Sequence, residues 1–208
     1  CIGKRKMALI DTLRDNILNG TLRPGAELLQ TDLATRFGVS RIPVRDALQG
    51  LAAERLVRVI PNKGAQVIVL TRDELSEVYD LRLLLETDLI HRAARQAGPD
   101  DHAEALHQLR KSDLEAGRPG WATGDAAFHA ARYAPARRPR QMAMVTELRR
   151  CCALHSAQYD SLIANTDQWL EDHQSIHDTW AKGQADVAAA LLAQHIEAAR
   201  DLLLAQMA

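Results

Sequence analysis

Cysteine is scarce in this chain: three among 208 residues, Cys1 and the adjacent pair Cys151 and Cys152. Neighbouring cysteines rarely bond to each other. No disulfide framework is therefore expected, and a reducing, cytoplasmic setting is. Aromatic residues make up only 4% of the chain, so the core must be built from aliphatic side chains. No apolar run approaches the roughly 18 residues that a membrane-spanning helix requires, so no membrane partner is expected. No signal-peptide pattern opens the chain at Cys1-Ile2-Gly3-Lys4-Arg5-Lys6. Internal repeats and low-complexity segments are missing as well. The hydrophobic share of 47% supplies ample core material and excludes disorder as the main state.

The net charge of −1 conceals an uneven distribution. Residues 1–70 hold 11 Lys and Arg against 6 acids, whereas residues 71–208 hold 15 against 21. A basic segment joined to an acidic one points to a polyanion meeting the first part alone. Composition shifts at the same place. Turn residues and two short β-like runs precede residue 70, and helix-forming residues at helical spacing follow it. The expected fold is mainly α. Residues 1–70 form a winged helix-turn-helix with a small hairpin, and residues 71–208 form an all-helical bundle of six to seven helices.

Residues 4–19 read as a helix with Ile10, Leu13, Ile17 and Leu18 on one face and Gly20 as its stop. Thr31 or Asp32 can cap a second helix that ends at Gly38, and Ser40 a third that runs to about Arg55. The spacing of Ala34, Gly38 and Val44 suits a helix-turn-helix: a small residue at the crossing, a turn-tolerant one, and a branched one packing back. Pro43 falls in the first turn of the third helix, where a missing N–H costs little. That helix presents Ser40, Arg41 and Arg45 near its N-terminus. Arginine suits both phosphate oxygens and guanine edges. Residues 56–60 and 65–69 flank Pro61-Asn62-Lys63-Gly64, a hairpin placed like a wing, with Lys63 and Gly64 at its tip. A glycine there would let backbone approach DNA closely.

In the helical part, Asp125 and His129 form an i,i+4 pair, as do His173 and His177, and His195 lies 22 residues after His173. One Asp and three His on facing helices would suit a divalent metal. Spacing alone does not establish that these helices face one another.

The run from Leu22 to Val67, above all Gly38-Val39-Ser40-Arg41-x-Pro43-Val44-Arg45-x-Ala47-Leu48, resembles the GntR family of bacterial transcription regulators. The resemblance implies DNA contacts by Ser40, Arg41, Pro43 and Arg45 and by Lys63 and Gly64 of the wing. Members often carry Arg where this chain has Thr31; Arg36 is the candidate substitute. The helical part is similar to the FCD effector domain of the FadR subfamily. It matches through Asp125-Ala126-Ala127-Phe128-His129, through residues 171–176, and through Gly183 and Gln194-His195. This implies Asp125, His129, His173 and His195 as ligands of a divalent metal, zinc or nickel, with His177 outside the ligand set. Arg82 and Glu86 match an Arg-x-x-x-Glu pattern. Arg82 is then either an effector-carboxylate contact or the partner of Glu86 in an ion pair. One departure is residues 133–140, where members often have a short Gly-Asn loop. Here the segment carries Arg137, Arg138, Arg140 and two prolines.

The function that follows is a ligand-responsive transcriptional regulator, a repressor, acting as a homodimer on a palindromic operator. Its effector would be a small organic or sugar acid held with the help of the metal. The alternatives are a metal-dependent enzyme using the same Asp/His set and a regulator whose metal is purely structural. Against the enzyme, no general base stands out beside the ligands, and the N-terminal segment has no catalytic use.

Overall fold

The structure, a computed structural model, describes residues 2–117, 121–157 and 166–207, with side chains from Leu9 onward other than those of Ala122 and Thr123. It divides into two compact units. One runs up to Thr71 and takes in the short segment from Ala153; the other begins at Arg72 and holds the remaining helices. No described helix is long and apolar enough to cross a membrane.

The first unit contains α1 (Ile2–Leu18), β1 (Glu27–Leu29), α2 (Gln30–Phe37), α3 (Arg41–Ala53), β2 (Val57–Ile60) and β3 (Gly64–Val67). Leu9, Leu13 and Ile17 recur every fourth residue, so they share one face of α1 and are all buried. They pack with Val44, Ala47, Leu48 and Leu51 of α3, and Leu28, Val57, Ala65 and Val67 of the sheet join the same cluster. Gly38 closes α2 in the left-handed conformation, at φ 61°. Its N–H returns to the Ala34 and Thr35 carbonyls, and Val39 N–H adds a bond to Ala34.

The sheet differs from expectation in having a third strand. Its order is β1-β3-β2, antiparallel throughout. Three residues of Glu-Leu-Leu carry no alternation signal, so β1 is specified by its partner β3 and not by local pattern. Because β1 leads straight into α2, that helix begins at Gln30. Thr31 and Asp32 therefore lie inside its first turn instead of capping it. The hairpin turn between β2 and β3 forms as its residues require, with Asn62 at φ 61°.

Gly64 is the point where this sheet is tightest. A Cβ on it would run into the backbone carbonyl of Leu28 in β1. The glycine is buried inside β3, opposite Leu29 on one side and Ile60 on the other. The missing side chain is thus required inside the sheet, whatever use the wing tip makes of the glycine. It makes room for β1, and Lys63 is the exposed residue at that place.

The second unit contains α4 (Arg72–Ala94), α5 (Pro99–Glu115), α6 (Trp121–Tyr133), a 3-10 turn (Ala134–Ala136), α7 (Pro139–Ser156), α8 (Thr166–Ala181) and α9 (Ala185–Gln206). The last turn of α7, from Ala153, belongs to the first unit. Helix α4 packs chiefly on α9, α6 on α5, and α8 on α9. Asp101 accepts the Gly98 N–H at 2.9 Å, which fixes the start of α5 just ahead of Pro99. Arg137–Arg140 is not a free loop. Pro135 and Ala136 are buried in the 3-10 turn, Arg137 takes φ 53°, and Pro139 opens α7, leaving Arg138 and Arg140 exposed. Helix α7 is described to Ser156, and residues 158–165 lie outside the described residues.

At the centre of this unit Glu86 is fully buried and yet charged. Its Oε1 accepts Arg82 Nε at 2.7 Å, and its Oε2 accepts Tyr133 OH at 2.6 Å and Arg149 Nε at 2.8 Å. Burial alone would raise its pKa. The guanidinium groups of Arg149 and Arg82 outweigh that and bring it down to about 2.

Two expectations follow. Gly64→Ala should lower the stability of the full chain by about 2 kcal/mol, read from its urea midpoint; an unchanged midpoint would mean the β1–β3 seam has room for a methyl. Glu86→Gln should cost about 3 kcal/mol in the same measurement, because the buried Arg82 loses its counter-charge and Arg149 is left with Asp125 alone. A wild-type midpoint would show that the charge is dispensable.

Candidate functional site

Two groups of side chains stand apart chemically. The first is the exposed rim of the helix-turn-helix. Ser40 takes the N-cap position of α3 in extended backbone, but its side chain makes no capping bond. Arg41 and Arg45 follow one turn apart and are both exposed, while Val44 between them is buried in the core. Pro43 is half-buried in the first turn, and Arg36 is exposed at the end of α2. The buried side of α3 is thus anchored and its cationic side open, the arrangement a major-groove reader needs.

The second group is in the helical unit. His129 of α6, His173 of α8 and His195 of α9 are buried, and they offer nitrogens that all lie within 4.8 Å of one another. Their ring centroids are 4.9 to 5.7 Å apart. Asp125 stands beside two of the three: its Oδ1 is 3.5 Å from His129 Nε2 and 3.3 Å from His173 Nε2. Asp125 is the one member partly open to solvent, with its side chain 30% exposed. The one-turn spacing on α6 supplies Asp125 and His129 together. Neither the spacing nor the composition signals the meeting of α6 with α8 and α9.

Surrounding groups fix the imidazoles. Tyr133 OH lies 3.2 Å from His129 Nδ1, and Asp172 Oδ2 lies 3.1 Å from His195 Nδ1. Each contact engages Nδ1 and turns the Nε2 of that ring toward the group. His129 Nε2 and both nitrogens of His173 are buried and make no well-aligned hydrogen bond; Asp125 Oδ1 is the polar atom that faces the two Nε2 atoms. Such nitrogens are rare in a native interior unless a ligand takes them up. Burial pushes His129 well below the usual imidazole range and lowers His173 too, so both are neutral at pH 7, the form a metal requires. Burial would raise the Asp125 carboxyl, but His129, His173 and Arg149 hold it well below the usual carboxylate range. Three imidazoles and one carboxylate fit a zinc- or nickel-type ion by donor chemistry.

The other predicted residues fall out as follows. Arg82 forms the buried ion pair with Glu86, one of the two readings its spacing allowed. His177 is buried one turn from His173 but outside the triad. Arg149 was not anticipated. It bridges Glu86 and Asp125, donating to Asp125 Oδ2 from NH1 at 3.1 Å. Tyr133 and Asp172 were also missed. Tyr133 could have been found by extending the four-residue step from Asp125 through His129. Asp172 could not, because its partner is 23 residues away on another helix.

Comparison with known proteins bears on both units. The model of the bacterial regulatory proteins of the gntR family matches residues 6–67, and that of the FCD domain matches residues 77–198, more than half of the chain. The gluconate operon transcriptional repressor of Bacillus licheniformis is 43% identical over 83 residues, which is 40% of this chain and 34% of that protein. The chain thus spans about a third of the length of that relative. An uncharacterised HTH-type transcriptional regulator of Agrobacterium vitis is 30% identical over 135 residues, 60% of this chain and 77% of that one. Among solved structures, Escherichia coli McbR/YncC superposes with a TM-score of 0.83 at 22% identity, covering 97% of this chain and 98% of the other. At that identity it supports the fold alone. A GntR regulator from Rhodococcus sp. RHA1, described as putative, superposes with a TM-score of 0.80 at 28% identity, over 98% and 99%. Both family models and these relatives are those of regulators and not of enzymes. The chain belongs to the GntR family of bacterial regulatory proteins, with a winged helix-turn-helix followed by an FCD domain.

Proposed function

We propose that this protein is a ligand-responsive repressor of the FadR type, working in the cytoplasm as a homodimer on a palindromic operator. The unit ending at Thr71 would read DNA. Arg41 and Arg45 would reach bases and phosphates in the major groove, with Ser40, Pro43 and Arg36 beside them and Lys63 of the wing on the backbone. The helical unit would bind the effector and pair the two copies.

The observation that carries this reading is the convergence of His129, His173 and His195 beside Asp125, with buried nitrogens that make no well-aligned hydrogen bond. These four would hold a divalent ion, zinc or nickel. A bound ion supplies Lewis acidity and positive charge toward a carboxylate. Arg82, held against Glu86, would be the nearby cation for a small organic or sugar acid. Asp172 and Tyr133 would keep His195 and His129 in the tautomers that offer Nε2. The acid would favour one of two arrangements of the paired heads, so that its binding changes how well they fit the operator.

Two measurements test this. Arg45→Ala should lower affinity for an operator selected from random DNA at least about 30-fold without loss of helical circular dichroism, since one bidentate base contact is worth about 2 kcal/mol. Unaltered binding would remove α3 from the groove. The double variant His173→Ala, His195→Ala should lose the metal that elemental analysis finds in the purified wild type. Full occupancy in the variant would place the ion elsewhere. Metal that stabilises the wild type while no acid in a carboxylic and sugar-acid panel adds to it would instead make the ion structural.

A further inference from the structure

Helices α5, α6 and α8 bury a second group of polar atoms that the metal ligands do not use. Arg132, on α6 one turn beyond His129, is fully buried. Its guanidinium lies over the Phe128 ring, 3.3 Å from the centroid, and its NH1 donates to the Phe128 carbonyl at 2.7 Å. Its Nε and NH2 have no hydrogen-bond partner, and the carboxylates whose charge reaches it, Asp113 and Asp125, do not bond to it. Two more buried nitrogens nearby lack a partner: His177 Nδ1 and Trp180 Nε1, one turn apart on one face of α8. His102 of α5 packs edge-on against Trp180 at 5.1 Å. Phe128 connects the two groups: Arg132 lies over one face of its ring, the ring stacks on His173, and His177 follows His173 by one turn of α8.

A guanidinium taken out of water without a counter-charge is costly, and orphaned buried donors are uncommon in native interiors. Here several occur together with no acceptor among them except their own backbone. The two unused donors of Arg132 form one edge of its plane. Two parallel N–H groups on one edge match the two oxygens of a carboxylate, so the shape of the unmet demand is a bidentate pair and not a point charge. Phe128 links this edge to the histidine triad, since its ring also stacks on His173 at 4.2 Å.

We infer that Arg132, with His177 and Trp180 beside it, forms a second carboxylate-binding position in the helical unit, one that does not depend on the metal. The inference rests on reading this unit as an effector-binding one, and it assigns a carboxylate of the effector to a named guanidinium edge. Arg82 cannot offer that edge in the same way, because its Nε is spent on Glu86.

The test is titration calorimetry on the full chain stripped of metal by a chelator. The probes are straight-chain monocarboxylates from acetate to hexanoate, with sodium chloride at matched ionic strength as the blank. At least one acid should bind once per chain. Arg132→Met should weaken it more than tenfold while raising the melting temperature of the acid-free protein, because the uncompensated charge is gone. Arg132→Lys, which keeps the charge but not the two-donor edge, should also weaken binding about tenfold and shows whether any loss comes from failed folding. Absence of binding by every acid, or equal binding by wild type and Arg132→Met, would overturn the inference. So would sulfate binding as tightly as the best carboxylate. The His173→Ala, His195→Ala protein should still bind the acid, so failure of the metal reading and failure of this one are seen separately.

Discussion

The helical unit depends on one buried negative charge. Glu86 sits where α4 meets α6 and α7, and it accepts bonds from Arg82 on its own helix, Tyr133 of α6 and Arg149 of α7. Removing a carboxylate from water is costly, and only the two guanidinium groups make it tolerable. The same contacts organise the site. Tyr133 passes from Glu86 to His129, and Arg149 passes from Glu86 to Asp125. Asp125 and His129 of α6 are thus positioned by a charge network whose hub, Glu86, lies outside the histidine cluster.

The N-terminal unit is organised differently, by packing. Leu9, Leu13 and Ile17 meet Val44, Ala47, Leu48 and Leu51 and leave α3 with no freedom to roll. Rigid burial of one face is what makes the exposure of Arg41 and Arg45 on the other meaningful. One unit thus turns its cationic groups outward to solvent, and the other folds its polar groups inward around a cluster of imidazoles.

Much of this was legible in the chain. Leu13 and Ile17 of the α1 face, the Gly38 turn and the Asn62 hairpin follow local rules, each decided within a few residues, whereas Leu9 and not Ile10 or Leu18 completes the fully buried stripe. The candidate ligands were legible as residue types at helical spacing together with a family resemblance. What remained out of reach was decided by tertiary contact. Strand β1 exists only because β3 pairs with it. The packing demand on Gly64 was also hidden, because nothing nearby in sequence announces the Leu28 carbonyl against it. Arg149 and Asp172 act across 24 and 23 residues on separate helices, and their neighbours in sequence gave no sign of it.

The small sheet also bears on how this protein keeps to itself. A three-stranded sheet ordered β1-β3-β2 has two edges whose backbone groups are free to accept a foreign strand. One edge is only three residues long, and the other ends at Pro61, which has no N–H to offer. The exposed face of β2 carries Arg58, a charge that discourages stacking. The sheet is thereby guarded against strand-swapped aggregation by brevity, a proline and a charge.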